Sequence, residues 1–370
     1  MLSGLVAAVG LAACGAAAEV QDVGSATTGD ATTGDAPAPP AADSTTDPET
    51  DESGSGEGTG DSDGDSSDGS PGDPLLGPPY PIVLAHGFFG FDDLAGIDPL
   101  TYFFGVPEAL AEAGESLVFT PAVDPFNDST VRGVQLLAHV QEVLLTTGYD
   151  KVVIIGHSQG GLDARVVASL RPDLVAAVVT IATPHYGTPV ADVALGLVDD
   201  PAAQSVIDAV VNFAGVGLWD EVEGNSSLSL SMQQMSTPGI TAFNEMYPDS
   251  ADVRYASLTG RSSLAAGGEA CAAPDNAPEF ITDWEDERDP IDPLFSATAA
   301  FLSGSVLTPA PNDGLVLVDD AKWGEFLGCI PADHPDQIGH FLGDLPGVLN
   351  GWRHDTFFVE LVAWVRAEGL

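Results

Sequence analysis

Between residues 152 and 170, a strand-like run, a glycine-flanked serine and a helical run follow one another, and this order constrains the fold most. Residues 152–155 are consecutive β-branched residues, which is typical of a strand buried on both faces of a sheet. The next six residues have the sequence GHSQGG, and residues 162–170 have a helical pattern. Glycines permit a turn that is too tight for neighbouring side chains. The segment therefore predicts a strand–turn–helix unit that presents the Ser158 hydroxyl at the carboxyl end of the strand.

Two further apolar runs, at residues 82–85 and 177–181, predict strands of the same sheet. Short apolar runs of this kind are expected for parallel strands that are covered by helices on both faces. Between the first two strands, apolar residues recur at helical spacing at Val134, Leu137, Val140 and Leu144. Alternating strands and helices predict the α/β class, with a mostly parallel, doubly wound sheet.

The chain divides by composition near residue 77. Residues 15–76 contain 15 acidic residues, no basic residue and no aromatic residue. Such a segment cannot bury enough apolar surface to offset the entropy of ordering, so we predict a disordered acidic linker rich in Gly, Ser, Asp and Pro. Residues 77–370 are then predicted to form the folded domain.

Charge excludes one class of partner. The whole chain has 56 acidic and 10 basic residues, a formal net charge of −46. Because nucleic acid is itself a polyanion, it is not expected to bind.

The first 14 residues form an apolar leader that ends in Leu-Ala-Ala-Cys. This ending resembles the lipobox of bacterial lipoprotein signal peptides, although a basic first segment is missing. The resemblance implies that residues 1–14 are a signal peptide, that Cys14 is lipidated, and that membrane contact is made only through this anchor. We expect an exported protein, either an outer-membrane or cell-surface lipoprotein or a secreted form. A chance apolar start with an unmodified cysteine is the alternative.

A serine hydroxyl acts as a nucleophile only with a base, an orienting carboxylate and donors for the oxyanion. The donors are expected where the first strand ends in the sequence His-Gly-Phe. The backbone N–H of Phe88 is one candidate, and that of Gln159, next to the serine, is the other.

In this type of fold the acid and the base follow the serine, in the order Ser, Asp or Glu, His. Asp313 lies in the turn-like sequence Pro-Asn-Asp-Gly between apolar segments and is the candidate acid. Three histidines follow it, and these residues alone do not choose among His334, His340 and His354.

Three segments carry recognisable motifs: YPIVLAHG at residues 80–87, GHSQGG at 156–161 and NDGLV at 312–316. Together they resemble the calcium-dependent bacterial triacylglycerol lipases of the pseudomonad type. The resemblance implies the α/β-hydrolase fold and hydrolysis of lipid esters at an interface, through an acyl-enzyme on Ser158. It also implies a dedicated folding chaperone as a candidate partner.

Residues 334–340, with the sequence HPDQIGH, resemble the HLDExNQ segment of that family. This match implies that His334 is the base and that Asp313 orients it. His354 remains the alternative, because many other hydrolases place their histidine shortly before a final helix.

The same resemblance implies a structural calcium site that pins the loop carrying the base. Its ligands would be Asp292, Asp336, the side chain of His340 and the backbone carbonyl of Asp344. Histidine replaces the family's glutamine at position 340, and calcium prefers oxygen donors.

The resemblance further implies a disulfide between Cys271 and Cys329, as expected for an exported protein. It also implies a mobile helical lid at about residues 189–235, where apolar residues recur at helical spacing. An ordinary cap subdomain would show the same pattern.

The sequence thus predicts a serine hydrolase of carboxylic esters, most of all a triacylglycerol lipase. A short-chain carboxylesterase or polyester depolymerase is the first alternative, since one triad serves all these reactions. The second is an inactive, surface-tethered binding lipoprotein.

Overall fold

A computed structural model describes residues 75–88, 102–214, 228–262, 268–287, 289–305, 307–339, 346–347 and 350–370. No helix within these ranges is long and apolar enough to cross a membrane. The predicted leader with Cys14, and the linker up to residue 74, lie outside the described residues and stay predictions.

Six parallel strands form one sheet within the described residues. They are β1 (Ile82–Ala85), β2 (Val118–Phe119), β3 (Val152–His157), β4 (Val175–Ile181), β5 (Arg254–Gly260) and β6 (Glu325–Ile330). Their order across the sheet is β2-β1-β3-β4-β5-β6. The predicted α/β class, with its parallel, doubly wound sheet, is confirmed, and the three strands predicted from sequence lie side by side within it.

Helices connect the strands and cover both faces. Those described are α1 (Val106–Glu112), α2 (Ser129–Thr147), α3 (Gln159–Leu170), α4 (Pro189–Ala194), α5 (Ala203–Ala214), α6 (Leu228–Met235), α7 (Thr237–Met246), α8 (Glu279–Thr282), α9 (Ser296–Ser303) and α10 (His354–Ala367). Ile82 and Leu84 of β1 pack in the cluster that contains α1 and α10, whereas Val83 and Ala85 pack in the cluster that contains α2 and α3. Successive side chains of a strand point to opposite faces, so both faces of the sheet are buried.

The helix predicted around residues 134–144 is confirmed as α2, but its buried face differs from the prediction. Val134 is 53% exposed, and the buried apolar side chains are those of Leu136, Val140, Val143 and Leu144. The helix is rotated so that Arg132, which is fully buried, also faces inward. The buried face of α2 therefore contains a charged side chain as well as apolar ones.

The chain enters the domain at the amino edge of the sheet. The Leu76 N–H donates to the Gly148 carbonyl (2.8 Å), and the Leu76 carbonyl accepts the Asp150 N–H (3.0 Å). These bonds tie Leu76 to the turn immediately before β3, whereas Ser158 lies immediately after β3. The point of entry and the predicted nucleophile are thus at opposite ends of one strand.

The predicted lid region is helical where it is described. Residues 189–235 contain α4, α5 and α6, and residues 215–227 lie outside the described part. Val190 and Val193 of α4 pack against Val206 of α5 and Leu302 of α9. The helical pattern is confirmed, and the mobility of a lid stays a prediction.

The disulfide implied by the family resemblance is present. Cys271 and Cys329 are joined by an S–S bond of 1.99 Å and lie 58 residues apart in sequence. The bridge ties the segment before α8 to β6, the strand that leads to the predicted base.

Candidate active site

Ser158 occupies a sharp turn between β3 and α3. Its φ of 55° and ψ of −130° are strained for a residue with a side chain. A Cβ placed on Gly156 would lie 2.6 Å from the Gly160 backbone, and one on Gly160 would lie 2.1 Å from the Ala85 carbonyl oxygen. Only glycine fits at these positions, so the structure has the tight turn that the sequence predicts.

The turn after β1 lies directly against the predicted nucleophile. A Cβ placed on Gly87 would lie 2.7 Å from the Ser158 Cβ and 2.5 Å from the Tyr102 hydroxyl oxygen. Absence of a side chain at Gly87 therefore lets the backbone that carries the Phe88 N–H approach the serine. Gln159, the other predicted donor residue, begins α3 and is fully buried.

His86 is a structural part of this turn. Its Nε2 accepts the Val123 N–H (3.0 Å), so Nδ1 carries the proton and donates to the Gly87 carbonyl (2.9 Å). Burial, together with the nearby Arg132 charge, lowers the pKa of His86 to about 3. The imidazole is therefore neutral at ordinary pH and is occupied at both nitrogens.

A buried ion pair fixes the same turn from the other side. Arg132 Nη2 donates to the carbonyls of His86 (2.7 Å) and Gly87 (3.2 Å), and Arg132 Nε donates to Asp163 Oδ2 (2.9 Å). Both side chains are buried, and burial raises the pKa of Asp163 while the arginine opposes that shift. The Gly87 carbonyl and the Phe88 N–H belong to one trans peptide and point in opposite directions. Arg132 thus holds the carbonyl so that the N–H faces away from it.

The predicted acid and base are hydrogen-bonded to each other. His334 Nδ1 and Asp313 Oδ2 are 2.7 Å apart, and the His334 backbone N–H donates to the Asp313 carbonyl (2.9 Å). Asp313 is fully buried, and His334 is 5% exposed. An ionised carboxylate accepts, so Nδ1 carries the proton and Nε2 is the basic nitrogen.

His157 places this pair next to the nucleophile. Its ring centroid is 4.6 Å from that of His334, and the next residue in the chain is Ser158. Tyr102 Oη lies 2.7 Å from His157 Nδ1 and also contacts the Gly87 turn. Elements far apart in sequence therefore bring the candidate nucleophile, donors, acid and base to the carboxyl edge of the sheet.

The alternative base has a different environment. His354 Nε2 bonds the Phe104 carbonyl oxygen (2.7 Å), and a Cβ on Gly339 would lie 2.3 Å from that nitrogen. Burial lowers the pKa of His354. The geometry favours His334, the histidine that Asp313 contacts.

Three buried carboxylates form a candidate cation site beside the predicted base. Oxygen atoms of Asp289, Asp333 and Asp336 all lie within 4.8 Å of one another. Burial, followed by repulsion from Asp333, raises the pKa of Asp289 to about 8; burial raises that of Asp333 to about 6. Asp289 Oδ2 has no hydrogen-bond partner among the described residues. Hard oxygen donors with an unsatisfied buried oxygen fit a calcium ion.

The grouped carboxylates differ from the ligand set that the family resemblance suggested. Asp336 belongs to the group, but the Asp292 carboxylate accepts the Leu294 N–H (2.8 Å) and is not among the grouped side chains. Its backbone N–H instead donates to Asp333 Oδ2 (2.7 Å). Ile291, between the two aspartates, has a φ of 60°, which is strained for a β-branched residue. The other suggested ligands, His340 and Asp344, lie outside the described residues.

Several residues of the site escaped the sequence-based predictions. Asp289 and Asp333 carry no local motif, and their role depends on long-range folding. The inward position of Arg132 could have been predicted, because it lies four residues before Leu136 and eight before Val140, on the same face of α2.

Comparisons with known proteins agree with this architecture. Residues 80–214 match the family model described as the alpha/beta hydrolase fold. The lipase of Staphylococcus hyicus has a TM-score of 0.51 at 16% identity, covering 78% of this chain and 95% of that chain. A metagenomic carboxyl esterase has a TM-score of 0.50 at 18% identity, covering 80% and 77%. These two structures support the fold alone.

Sequence relatives identify the family. A triacylglycerol lipase of Vibrio cholerae is 35% identical over 269 residues, which cover 71% of this chain and 81% of the relative. A triacylglycerol lipase of Pseudomonas fragi is 31% identical over 280 residues, covering 70% and 88%. One of Burkholderia plantarii is 30% identical over 291 residues, covering 71% and 80%. The chain therefore belongs to the bacterial triacylglycerol lipases of the α/β-hydrolase fold.

Proposed function

We propose that this chain hydrolyses triacylglycerols through a triad of Ser158, Asp313 and His334. The observation that carries the proposal is the 2.7 Å contact between His334 Nδ1 and Asp313 Oδ2, with the His334 ring packed on the residue next to Ser158. Asp313 holds the imidazole in the tautomer whose Nε2 is basic. This nitrogen takes the proton of the serine hydroxyl.

The reaction proceeds in two halves. The Ser158 oxygen attacks the ester carbonyl, and the N–H groups of Phe88 and Gln159 stabilise the negative oxygen of the tetrahedral intermediate. His334 then gives its proton to the leaving alcohol, and an acyl-enzyme forms. Water, deprotonated by the same imidazole, attacks the acyl-enzyme and releases the fatty acid.

Calcium fits the residues that the chain offers beside the base. Asp289, Asp333 and Asp336 would hold it through carboxylate oxygens. Its charge would neutralise three buried carboxylates and fix the segment that carries His334.

The leader, linker and insertion extend the proposal to the whole chain. Lipidation of Cys14 would attach the exported enzyme to a membrane through the acidic linker of residues 15–76. The disulfide supports an oxidising compartment. Residues 189–235 would act as a lid that opens on lipid, and a dedicated chaperone would assist folding.

The test is the initial rate of hydrolysis of triglycerides from tributyrin to triolein, with calcium and after EDTA. We expect long-chain turnover that EDTA weakens and that Ser158→Ala abolishes. Ser262→Ala, at a serine that bonds the Asn312 carbonyl, is the matched control and should keep its activity.

Three other outcomes contradict parts of the proposal. Turnover confined to short chains would indicate a carboxylesterase. A rate of hydrolysis that EDTA does not change would show that the enzyme does not need calcium. A wild-type rate equal to that of Ser158→Ala would indicate a binding protein.

A further inference from the structure

Every acceptor direction of the Asp313 carboxylate is used among the described residues. Oδ1 accepts the backbone N–H groups of Leu315 (3.0 Å) and Val316 (2.8 Å). Oδ2 accepts His334 Nδ1 (2.7 Å) and, in addition, the side-chain amide of Gln337 (3.1 Å). Gln337 is thus the one side chain besides the base that these hydrogen bonds bring to the acid.

The Gln337 side chain is firmly held. It is fully buried, and its backbone N–H donates to the Asp333 carbonyl (3.3 Å). A Cβ placed on Gly260, at the end of β5, would lie 2.2 Å from Gln337 Nε2. The sheet therefore leaves the amide little room to move away from Asp313.

The orientation of the amide follows from chemistry. An ionised carboxylate offers no proton, so the NH₂ group and not the amide oxygen must face Asp313 Oδ2. The amide oxygen then has no hydrogen-bond partner among the described residues. An unsatisfied buried acceptor weakens folding, which makes simple structural filling a poor reason for glutamine here.

We propose that Gln337 is a positioning residue for the acid–base pair. Its N–H fixes Asp313 Oδ2 at the point where His334 Nδ1 donates, and thereby fixes the direction of the imidazole. This role rests on the triad proposed above, and Gln337 itself touches no reacting atom.

The first test replaces Gln337 by methionine, which has a similar length and no donor. With p-nitrophenyl butyrate as the soluble ester, we expect kcat to fall about 10-fold, the loss typical of one hydrogen bond to a charged group, while KM stays within about 2-fold. Active enzyme is counted by titration with a fluorophosphonate, so that loss of folded protein does not enter kcat. An unchanged kcat would overturn the proposal.

The second test is Gln337→Asn, which keeps an amide group but shortens the side chain by one methylene, so its N–H no longer reaches Asp313 Oδ2. We expect kcat on p-nitrophenyl butyrate to fall as it does in Gln337→Met, while KM stays within about 2-fold. A defect that only reduced the amount of folded enzyme would leave the kcat per titrated active site unchanged. A wild-type kcat would overturn the proposal even if Gln337→Met failed to fold.

Two controls separate this proposal from the triad itself. Gln135→Met makes the same substitution at a part-buried glutamine that accepts the Asp124 N–H, and its kcat should match the wild type. Ser158→Ala tests the nucleophile. An active Ser158→Ala enzyme overturns the triad, whereas an inactive one beside a normal Gln337→Met overturns only the role of Gln337.

Discussion

Ser158 and Ile291 are two residues with a positive φ near this active site, and they are held in different ways. Ser158 is fixed by close backbone packing at Gly156 and Gly160, at the end of a central strand. Ile291, whose φ is 60°, lies in a loop beside three buried carboxylates that repel one another. In the region around Ser158, which includes the Gly87 turn, close packing of the backbone alone holds the strained residue in place. The region from Asp289 to Gln337 instead depends on cross-links: a disulfide, shared hydrogen bonds and, as proposed, a cation.

The largest effect is expected from a change to Asp313, the proposed acid, which lies in the second region. Asp313→Asn offers an amide where His334 Nδ1 donates, which favours the wrong tautomer of the imidazole. We expect kcat to fall about 10⁴-fold with little change in stability. Rates on tributyrin and a urea unfolding curve check this. A loss below about 10-fold would mean that His334 is not oriented by Asp313.

The next largest effect is expected from a change to Arg132, which fixes the Gly87 turn in the first region. Arg132→Met leaves the Asp163 carboxylate buried without its partner, and we expect a loss of about 3–5 kcal/mol in the free energy of unfolding. The double variant Arg132→Met/Asp163→Leu removes both charges and should recover much of that stability. Its kcat should stay low, because the carbonyls of His86 and Gly87 still lack their donor. Full recovery of kcat would show that the arginine has no influence on the turn.

Removal of the disulfide weakens the second region alone. A Cys271→Ala/Cys329→Ala enzyme should lose on the order of 4 kcal/mol, mainly through the greater freedom of its unfolded chain. Hydrogen exchange should rise first in the segment from α8 to β6. Equal increases at β1 and β3 would show that the two regions unfold as one unit.

A fall in pH should destabilise the first region, because His86 becomes protonated on unfolding. The unfolded histidine takes up its proton near pH 6.5, whereas the folded one does so only at about 3. The stability contributed by neutral His86 is therefore complete above about pH 6.5 and is lost as the pH falls towards 3, by about 1.4 kcal/mol per pH unit. His86→Gln, which keeps an acceptor for Val123, should show a shallower slope in urea unfolding between about pH 6 and 4. If the variant and the wild type showed the same slope, His86 would not be the source of this pH dependence.

The smallest expected effect concerns Ile291. Asparagine tolerates a positive φ better than a β-branched residue, so Ile291→Asn should stabilise the calcium-free protein by about 1 kcal/mol. The melting temperature after EDTA, compared with wild type, checks this. Destabilisation would mean that packing of the isoleucine outweighs its strain.

The same contrast explains what could be predicted from sequence. The Ser158 turn was predictable because glycines, serine and flanking elements are local in the chain. The register of the Asp289–Asp292 loop was not, because only two residues separate the two aspartates and the folded turn alone decides which one faces Asp336. Gln337 and Arg132 act on partners that lie 24 and 31 residues away, or more, and no local pattern reports such contacts.

The bond between Leu76 and the turn before β3 has a practical consequence. A solid support or a fusion partner joined directly to Leu75 would hold the domain at the end of β3 that lies away from Ser158. The carboxyl end of β3, where Ser158 lies, would then stay on the side opposite the attachment. For surface display or coupling to beads, the amino-terminal side of the domain is therefore the preferred point of attachment.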